Sequence, residues 1–550
     1  MKRISSFLLI PAGLLFLFLA LLPGKKPVPR LVVYIVVDQM RDDYLDRFDP
    51  FFRGGFRYLL DHGVRFTHAF HDHAYTATAP GHFVLATGVY PGRGGVIAND
   101  WYNREKGDMV YCVADDQARV LSGRSRPVSY RGIPFTALGD WMKARDSSSK
   151  VFAVSSKDRG AVLLGGRHPD GVYWLDSNTG EYVTSDYYTD RYPEWMQTFR
   201  ASRPIERYVG LTWTRLLDDD SVYIRNSRED DFSPEASGER VDKNAVFPHF
   251  FPEAAGEDPI HFWALWESPW LDALTLDLAR VILDHEPLGK DAVPDLLAIS
   301  LSVADGVGHR YGPFSQEVMD MFLRLDRFLG DLFDHLDQTI GMEKVLVVLS
   351  SDHGVAMMPE YAERLGMESG RLRRRMNEAL DRLKDHLEEE WGPGRYIENY
   401  SNGVITYDMK TLKNKGISRE KMDRVVTGFL REHPGVLEVT SRLDLMGDSR
   451  LDPVGELWRH QFHPVLSGDL FITFKENYVW RDPVGTGHGS PHAYDRQVPV
   501  VFSGPGLEPV VIGDTIRTVD VAPTVARLLG IAVPQDIDGK PLELSDPGEK

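Results

Sequence analysis

The stretch "LVVYIVVDQM", residues 31–40, joins seven apolar residues to an aspartate, Asp38. An uninterrupted apolar run of this kind predicts a strand buried on both faces, because a strand with one wet face would alternate apolar and polar residues. Helical patterns such as "MDMFLRLDRFLGDLFDHLDQTIG" separate this run from others of the same character. The other runs are "VFAVS" (151–155), "LLAISLSV" (296–303), "KVLVVLS" (344–350) and "VPVVFSG" (498–504). We therefore predict an α/β fold with a mainly parallel sheet sandwiched by helices.

Two long segments interrupt this alternation. Residues from about 165 to 265 are rich in Tyr, Trp, Asp and Pro, and residues from about 366 to 480 contain a helix rich in Arg and Glu together with more β-like runs. We interpret both as insertions that cap the sheet within one catalytic domain spanning residues 31–550. The arginines near residue 373 alternate with leucines at helical spacing, which indicates a solvated amphipathic helix.

The composition restricts the partners and the metal chemistry. The 63 Lys and Arg residues against 81 Asp and Glu residues give a formal net charge of -18, which disfavours nucleic acid as a partner. A single cysteine, Cys112, excludes an intrachain disulfide, a CxxC zinc site and an iron–sulfur cluster. Any metal ion would therefore be held by His, Asp and Glu.

Residues 1–30 have the pattern of an export segment. Lys2 and Arg3 precede an apolar run from Phe7 to Leu22, which is short for a membrane span and has no clear cleavage motif after it. We expect either a signal peptide or an N-terminal anchor. The protein would then be periplasmic or secreted, with membrane contact only through that anchor.

Polar side chains cluster where three of the apolar runs end. Carboxyl ends of parallel strands are where α/β enzymes gather their ligands, although each aspartate alone could be a loop cap. Three aspartates and three histidines are ligands that suit zinc, and they would form either one crowded site or two open ones. Two neighbouring metal ions are the arrangement that stabilises the attacking and leaving oxygens in phosphoryl transfer. The six residues are Asp38, Asp305 and His309 in "ADGVGH", Asp352 and His353 in "SSDHG", and His488 in "GTGHGS".

The stretch "TATAPGH", residues 76–82, places Thr78 at the start of a predicted helix. Threonine is a good N-cap and proline is accepted in a first turn, so capping explains the stretch by itself. A hydroxyl at the positive end of a helix is also suited to meet an anion. Metal ions held by the six ligands would favour the second explanation, in which Thr78 is a nucleophile.

Seven motifs in order resemble the alkaline phosphatase superfamily, specifically its monomeric bacterial alkaline phosphatases with a threonine nucleophile. They are "VVDQMRDDYL", "TATAPGHFVLATG", "IANDW", "SSKDRGAVLL", "ADGVGHRYG", "SSDHG" and "HGSPHAYDRQVPVVFSG". The resemblance implies a monomer that hydrolyses small phosphate monoesters with two Zn²⁺ ions and a covalent phosphate on Thr78. It assigns Asp305, His309 and His488 to the zinc facing the leaving group, Asp38, Asp352 and His353 to the zinc facing Thr78, and Asn99, Lys157 and Arg159 to the phosphate oxygens.

Other functions of this superfamily compete with that expectation. A phosphodiesterase or nucleotide pyrophosphatase would share the metal ligands, but a diester carries one charge fewer and has a substituent where Lys157 and Arg159 would reach. A sulfatase would need a cysteine or serine in place of Thr78. A non-catalytic binding protein on the same scaffold is a remote alternative, since all ten candidate positions are present. Four further histidines near the motifs are expected to be structural or supporting: His71, His73, His82 and His492.

Overall fold

The predicted strand at residues 31–37 lies at the centre of a nine-stranded sheet in the computed structural model, which describes residues 27–235, 245–251 and 265–545. All seven residues of the strand are buried. It pairs in parallel with residues 295–301 on one side and with residues 345–350 on the other. The prediction of an α/β fold with a mainly parallel sheet is confirmed.

The strands of the described residues fall into one large sheet and several small ones. In chain order they are β1 (Leu31–Val37), β2 (Val64–Phe70), β3 (Asp100–Asn103), β4 (Asp108–Tyr111), β5 (Val151–Ser155), β6 (Gly171–Asp176), β7 (Glu181–Val183), β8 (Thr212–Trp213), β9 (His249–Phe250), β10 (Asp295–Leu301), β11 (Val345–Ser350), β12 (Gly370–Arg371), β13 (Ile397–Ser401), β14 (Val404–Tyr407), β15 (Val436–Ser441), β16 (Leu470–Phe474), β17 (Tyr478–Val479), β18 (Val500–Ser503) and β19 (Val510–Arg517).

The large sheet has the strand order β19-β2-β18-β11-β1-β10-β5-β6-β7. Seven of these strands run in one direction, whereas β18 and β7 are antiparallel to their neighbours. The apolar run that becomes β18 was expected among the strands of a mainly parallel sheet. Its reversed direction depends on the connection that precedes it, because an apolar pattern does not encode strand direction.

Helices cover both faces of the large sheet and support the small ones. In chain order the α-helices of the described residues are α1 (Asp43–Arg47), α2 (Gly55–His62), α3 (Thr78–Thr87), α4 (Pro91–Gly94), α5 (Leu138–Arg145), α6 (Asp158–Gly165), α7 (Glu194–Ala201), α8 (Asp220–Asn226), α9 (Trp270–His285), α10 (Val303–Tyr311), α11 (Gln316–Thr339), α12 (Pro359–Arg364), α13 (Arg373–Trp391), α14 (Met409–Asn414), α15 (Arg419–Arg431), α16 (Arg442–Met446), α17 (Pro453–Gln461), α18 (Ala493–Arg496) and α19 (Val521–Leu528). Short 3₁₀ turns occupy Asp49–Phe51, Pro204–Tyr208, Met342–Lys344 and Thr518–Asp520.

The central strand contributes alternate side chains to two apolar layers. Val33 and Ile35 belong to the layer that includes helices α9 and α11, and Val32 and Val36 belong to the layer that includes α3, α6 and α19. Because successive side chains of a strand point to opposite faces, burial on both sides requires apolar residues at every position. This requirement explains why the sequence of β1 shows no alternation.

The two segments predicted as insertions behave differently. Strands β13, β14, β16 and β15 form a separate four-stranded sheet, which shares an apolar core with helices α13 and α15. The segment from about 165 to 265 begins with β6 and β7, which lie at the edge of the large sheet, so its first part is not outside the sheet. The sequence pattern did not identify β6 as a strand, because glycine, aspartate and aromatic residues make up most of it. We retain as a proposal that the rest of both segments caps the sheet.

The expected signal peptide or anchor spans residues 1–30, and residues 1–26 of it lie outside the described part of the chain. Over residues 27–235, 245–251 and 265–545, no helix combines the length and apolarity needed to cross a membrane.

Helix α3 packs directly on the loop that follows β11. A Cβ atom built on Gly81 would lie 2.2 Å from the backbone oxygen of Asp352 and 2.6 Å from its Cα. These contacts are far below van der Waals separation, so only glycine permits this approach. Gly81 therefore fixes the distance between the start of α3 and Asp352.

We predict that Gly81→Ala lowers the free energy of unfolding by about 1–3 kcal/mol or more, because backbone has to move to accept the methyl group. The shift of the unfolding midpoint in urea measures this effect. Gly428→Ala is the matched control, since Gly428 is an exposed glycine inside α15 with no heavy atom within 4 Å of the added Cβ. An equal shift in both variants would contradict the packing argument.

Candidate active site

Four side chains singled out in the sequence follow neighbouring parallel strands. Asp38 follows β1, Lys157 follows β5, Asp305 lies in α10 just after β10, and Asp352 follows β11. These strands are adjacent in the order β11-β1-β10-β5, so their carboxyl ends form one edge of the sheet. The crevice at such an edge is the usual ligand site of α/β enzymes.

Thr78 is the first residue of helix α3 and is buried. The N-cap position belongs to Ala77, and no side chain makes a capping hydrogen bond there. The hydroxyl of Thr78 instead accepts a hydrogen bond from Nη2 of Arg159 at 3.3 Å. Capping therefore does not explain this threonine, and its oxygen faces a cation at the positive end of a helix.

The first ligand group, which we call the Asp38 cluster, consists of Asp38, Asp352 and His353. One ligand atom from each lies within 4.8 Å of the others, and all three residues are buried. Nε2 of His353 is 3.4 Å from Oδ1 of Asp38 and 3.7 Å from Oδ2 of Asp352. Oδ1 of Asp38 and Nε2 of His353 have no hydrogen-bond partner among the described residues, and Oδ2 of Asp352 has an ion-pair contact with Nδ1 of His82 at 3.2 Å. Buried polar atoms that converge in this way suit a divalent cation.

The second group, which we call the Asp305 cluster, consists of Asp305, His309 and His488 and meets the same distance criterion. Nε2 of His309 lies 3.1 Å and Nε2 of His488 lies 3.4 Å from Oδ1 of Asp305. Asp305 and His309 are one turn apart on α10, as their spacing of four residues requires. His488 comes from a distant loop, between Gly487 and Gly489.

The histidines of both clusters are oriented by backbone carbonyls. Nδ1 of His309 is 2.8 Å from the oxygen of Thr486, and Nδ1 of His488 is 2.8 Å from the oxygen of Thr76. Nδ1 of His353 is 2.9 Å from the oxygen of Gly354. A carbonyl can only accept, so each Nδ1 carries a hydrogen, and in the neutral ring each Nε2 then has a lone pair for a metal ion. Burial also lowers the pKa of His353 to about 3, which favours its neutral ring.

Lys157 lies between the two clusters. Its Nζ donates to Oδ2 of Asp38 at 2.5 Å and to Oδ2 of Asp305 at 2.7 Å. Burial lowers the pKa of Lys157, but Asp305 and Asp38 oppose this and raise it overall. Burial and then the Asp352 carboxylate raise the pKa of Asp38 well above its ordinary value. One ammonium group is thus too little positive charge for the three carboxylates of both clusters.

Asn99 and Arg159 flank Thr78. Oδ1 of Asn99 accepts from the backbone N–H of Ala79 at 2.8 Å, which fixes this side chain beside the start of α3. Nη1 of Arg159 is 3.4 Å from the hydroxyl of Tyr111, and Asp158 adds negative charge nearby. The structure therefore brings all ten predicted side chains together around one edge of the sheet.

Gln39 is a residue of the site that the sequence did not reveal. Its Nε2 donates to Oδ1 of Asp305 at 2.7 Å, and its backbone N–H donates to Oδ1 of Asp352 at 3.0 Å, so it links the two clusters. Its φ of 63° is rare for a residue with a side chain. The only sequence signal is its position directly after Asp38.

His82 contacts the Asp38 cluster from helix α3. Its Nδ1 is 2.8 Å from the backbone oxygen of Thr78 and 3.2 Å from Oδ2 of Asp352, and its Nε2 is 2.8 Å from the hydroxyl of Ser300. The remaining three histidines also lie outside the clusters. His71 contacts the oxygen of Ser351, His492 contacts the oxygen of Phe474, and His73 is buried beside His71.

The donor set fits divalent metal ions. Each cluster offers carboxylate oxygens and imidazole nitrogens, which are ligands that zinc accepts in tetrahedral sites with an open position. The unpartnered atoms of the Asp38 cluster and the oriented Nε2 atoms of both clusters are the structural observations behind this conclusion.

Several known proteins similar to this chain are named phosphatases or phosphodiesterases. The family described as type I phosphodiesterase / nucleotide pyrophosphatase matches residues 32–427. Alkaline phosphatase PafA of Elizabethkingia meningoseptica is 32% identical over 94% of this chain and 94% of its own length. Alkaline phosphatase PhoV of Synechococcus elongatus is 32% identical over 94% of this chain and 93% of its own. The crystal structure of wild-type PafA aligns with a TM-score of 0.86 at 31% identity, over 94% of this chain and 99% of that one.

We predict that the purified protein binds two divalent metal ions per chain, because two separate clusters each offer three ligand atoms. Elemental analysis after dialysis should find about one ion in His309→Asn and about two in the control Asp381→Asn, whose carboxylate lies on the exposed face of α13. Loss of both ions, or of neither, in His309→Asn would contradict two separate sites.

Proposed function

This chain belongs to the type I phosphodiesterase / nucleotide pyrophosphatase family within the alkaline phosphatase superfamily, and we propose that it hydrolyses phosphate monoesters through a phosphothreonine at Thr78. The observation that carries the proposal is the position of the Thr78 hydroxyl. It lies at the start of a helix, contacts Arg159, and belongs to a segment that packs on Asp352 of the Asp38 cluster. The curated relatives named alkaline phosphatases support the same reaction class.

We propose two zinc ions as the cofactors. The Asp38 cluster together with the oxygen of Thr78 would hold one, and the Asp305 cluster would hold the other. Nitrogen and oxygen ligands without a thiolate suit zinc, and carboxylates beside imidazole nitrogens favour a divalent cation. When bound, the ions supply Lewis acidity that makes the threonine oxygen a nucleophile and stabilises charge on the leaving oxygen.

The chain's own residues divide the remaining work. The hydroxyl of Thr78 gives its proton to water, its oxygen attacks phosphorus to form a new O–P bond, and the bond to the substrate oxygen breaks, so that the alcohol leaves with a proton from water. Water then attacks the phosphothreonine, which releases phosphate and restores the hydroxyl. The positive end of helix α3 and the guanidinium of Arg159 favour the negative charge that gathers near Thr78 in both steps.

Asn99, Lys157 and Arg159 are suited to bind the phosphate oxygens that neither Thr78 nor the leaving alcohol uses. Arg159 is already in contact with Thr78, and Nζ of Lys157 is close to both clusters. A monoester dianion offers three such oxygens, and charge-assisted hydrogen bonds to them are about twice as strong as neutral ones. These contacts favour monoesters over diesters, which have lost one charge and one free oxygen.

A phosphodiesterase is the second candidate, and one structural feature favours it besides the family match. Lys157 and Arg159 border an open cavity of about 430 Å³, where a second organic group of a diester has room. A non-catalytic phosphate-binding protein is the remote third candidate. It would bind phosphate through the same residues but would not release alcohol from a chromogenic monoester.

We predict that Thr78→Ala abolishes phospho-enzyme formation, while Thr78→Ser keeps part of the rate because the hydroxyl survives. Acid quenching with labelled substrate, followed by peptide mapping, locates the phosphate. Thr87→Ala is the matched control, since Thr87 ends the same helix and its hydroxyl donates to the oxygen of Phe83. Labelled phosphate on any other residue would refute the assignment.

We predict that the double variant Lys157→Ala, Arg159→Ala loses monoester hydrolysis by about two orders of magnitude or more, and diester hydrolysis by much less. The reason is that a diester gains less from two cations beside its phosphorus. The measurement is kcat/KM for a matched methyl monoester and methyl diester. Lys143→Ala, Arg145→Ala is the control, since that pair has the same spacing on α5. An equal fall for both substrates, or a wild type that prefers the diester, would establish the phosphodiesterase instead.

We further propose that the protein is exported, acts as a monomer and is periplasmic or secreted, with any membrane contact made by residues 1–30. The charged start and the apolar run of that segment support the proposal. We predict that cell fractionation finds the protein outside the cytoplasm and that light scattering gives the mass of one chain. Recovery with cytoplasmic markers would overturn the export proposal.

A further inference from the structure

An aromatic cavity adjoins the Asp305 cluster. Its volume is about 260 Å³, and its lining includes His309 and His488 from that cluster. Thr78 and the three residues of the Asp38 cluster are not among its lining residues. Thr78 and the Asp38 cluster therefore do not form its wall, whereas the Asp305 cluster, which the proposed function assigns to the second ion, does.

This position decides which part of a substrate could enter the cavity. In phosphoryl transfer the attacking and leaving oxygens lie roughly in line on opposite sides of phosphorus. If Thr78 attacks from its own side, the departing alcohol points away from Thr78. That alcohol would therefore enter the cavity beside His309 and His488.

Trp480 forms one wall of the cavity, and its side chain is partly exposed although other aromatic rings pack against it. Its ring stacks on Phe474 with centroids 6.2 Å apart and contacts Tyr400 at 5.4 Å. These contacts fix the indole, yet 39% of the residue remains exposed. A large, fixed aromatic surface left open beside a metal-ligand cluster is suited to bind a flat ring.

Tyr75 forms a second wall and is equally fixed. Its hydroxyl donates to Oδ1 of Asn402 at 3.0 Å, and its ring packs on Gly489, where a Cβ would lie 3.0 Å from the ring edge. Gly489 follows His488 directly, so the Tyr75 ring adjoins the Asp305 cluster. Tyr75 precedes helix α3 whereas Trp480 follows the four-stranded sheet, and the cavity therefore has aromatic walls from two parts of the chain.

Arg481 adds a cation to the same lining. Its stem and the ring of His309 flank Gly487, where an added Cβ would lie 3.8 Å from each. A guanidinium stacks well on aromatic faces, so Arg481 complements a flat ring as well as a negative substituent on it. The lining thus combines fixed aromatic surface with one exposed cation.

We propose that this cavity is the leaving-group subsite and that it selects phosphate monoesters of aromatic alcohols. The inference rests on the proposed function, since it needs Thr78 as the nucleophile and a phosphate monoester as the substrate. An aromatic ring gains from aromatic walls more than a saturated ring of the same size, by a margin beyond the burial of area alone. The saturated ring is therefore the decisive comparison.

The experiment compares kcat/KM for benzyl phosphate and cyclohexylmethyl phosphate, whose alcohols have the same number of carbons and similar leaving ability. Wild-type protein should prefer the benzyl ester by about fivefold. Trp480→Ala should bring the ratio close to one, and Trp480→Phe should keep most of it because a flat ring remains. Trp391→Ala is the control, because it removes an indole at the end of α13 that does not line the cavity.

The outcomes separate this inference from the proposed function. A wild type that cleaves both esters at equal kcat/KM, or a ratio that survives Trp480→Ala, would overturn the subsite while leaving the phosphatase intact. A ratio that falls equally in Trp391→Ala would show a general loss of structure and would also overturn it. A wild type that cleaves neither ester would overturn the proposed function, and the subsite with it.

Discussion

The fold depends on one electrostatic constraint at the edge of its large sheet. Asp38, Asp305 and Asp352 follow three adjacent parallel strands, and the ammonium group of Lys157 donates hydrogen bonds to two of them. Carboxylates removed from water remain ionised only when cations compensate them. The rest of the site is arranged around the same requirement: the histidines of both clusters present Nε2 atoms that could bind the same cations, and Thr78 starts helix α3 beside them.

The sequence predicted the elements that depend on local pattern. Apolar runs near residues 31, 151, 296 and 344 are adjacent parallel strands in the structure. They could be recognised in the sequence because a strand buried on both faces has almost no polar residues. The side chains after those runs could be grouped by the same logic, since parallel strands end at one edge. Asp38, Asp305 and Asp352 do meet there, although their role as ligands is a proposal.

Features set by distant contacts could not be predicted. The direction of β18 depends on its path from the loop around His488, and β6 and β7 join the sheet edge although β6 has only four apolar residues between Gly171 and Asp176 and β7 has three residues in all. Gln39 links both clusters through a backbone conformation with positive φ, which glutamine rarely adopts. Its partner Asp305 is 266 residues away, and no periodicity reports a contact of that kind.

The two sheets divide the proposed reaction between them. Thr78, Lys157 and Arg159 lie in the loops and helix starts that follow strands β2 and β5 of the large sheet, whereas the wall that contains Trp480 and Arg481 comes from the segment that also builds the four-stranded sheet. The phosphoryl site requires fixed charge, and its geometry is set by glycine contacts such as that of Gly81 with Asp352. Binding of the leaving alcohol requires only a surface that is complementary to its shape. Substitutions near residue 480 can therefore change which alcohol is accepted without disturbing the groups that hold phosphate, so selectivity and chemistry are separable in this chain.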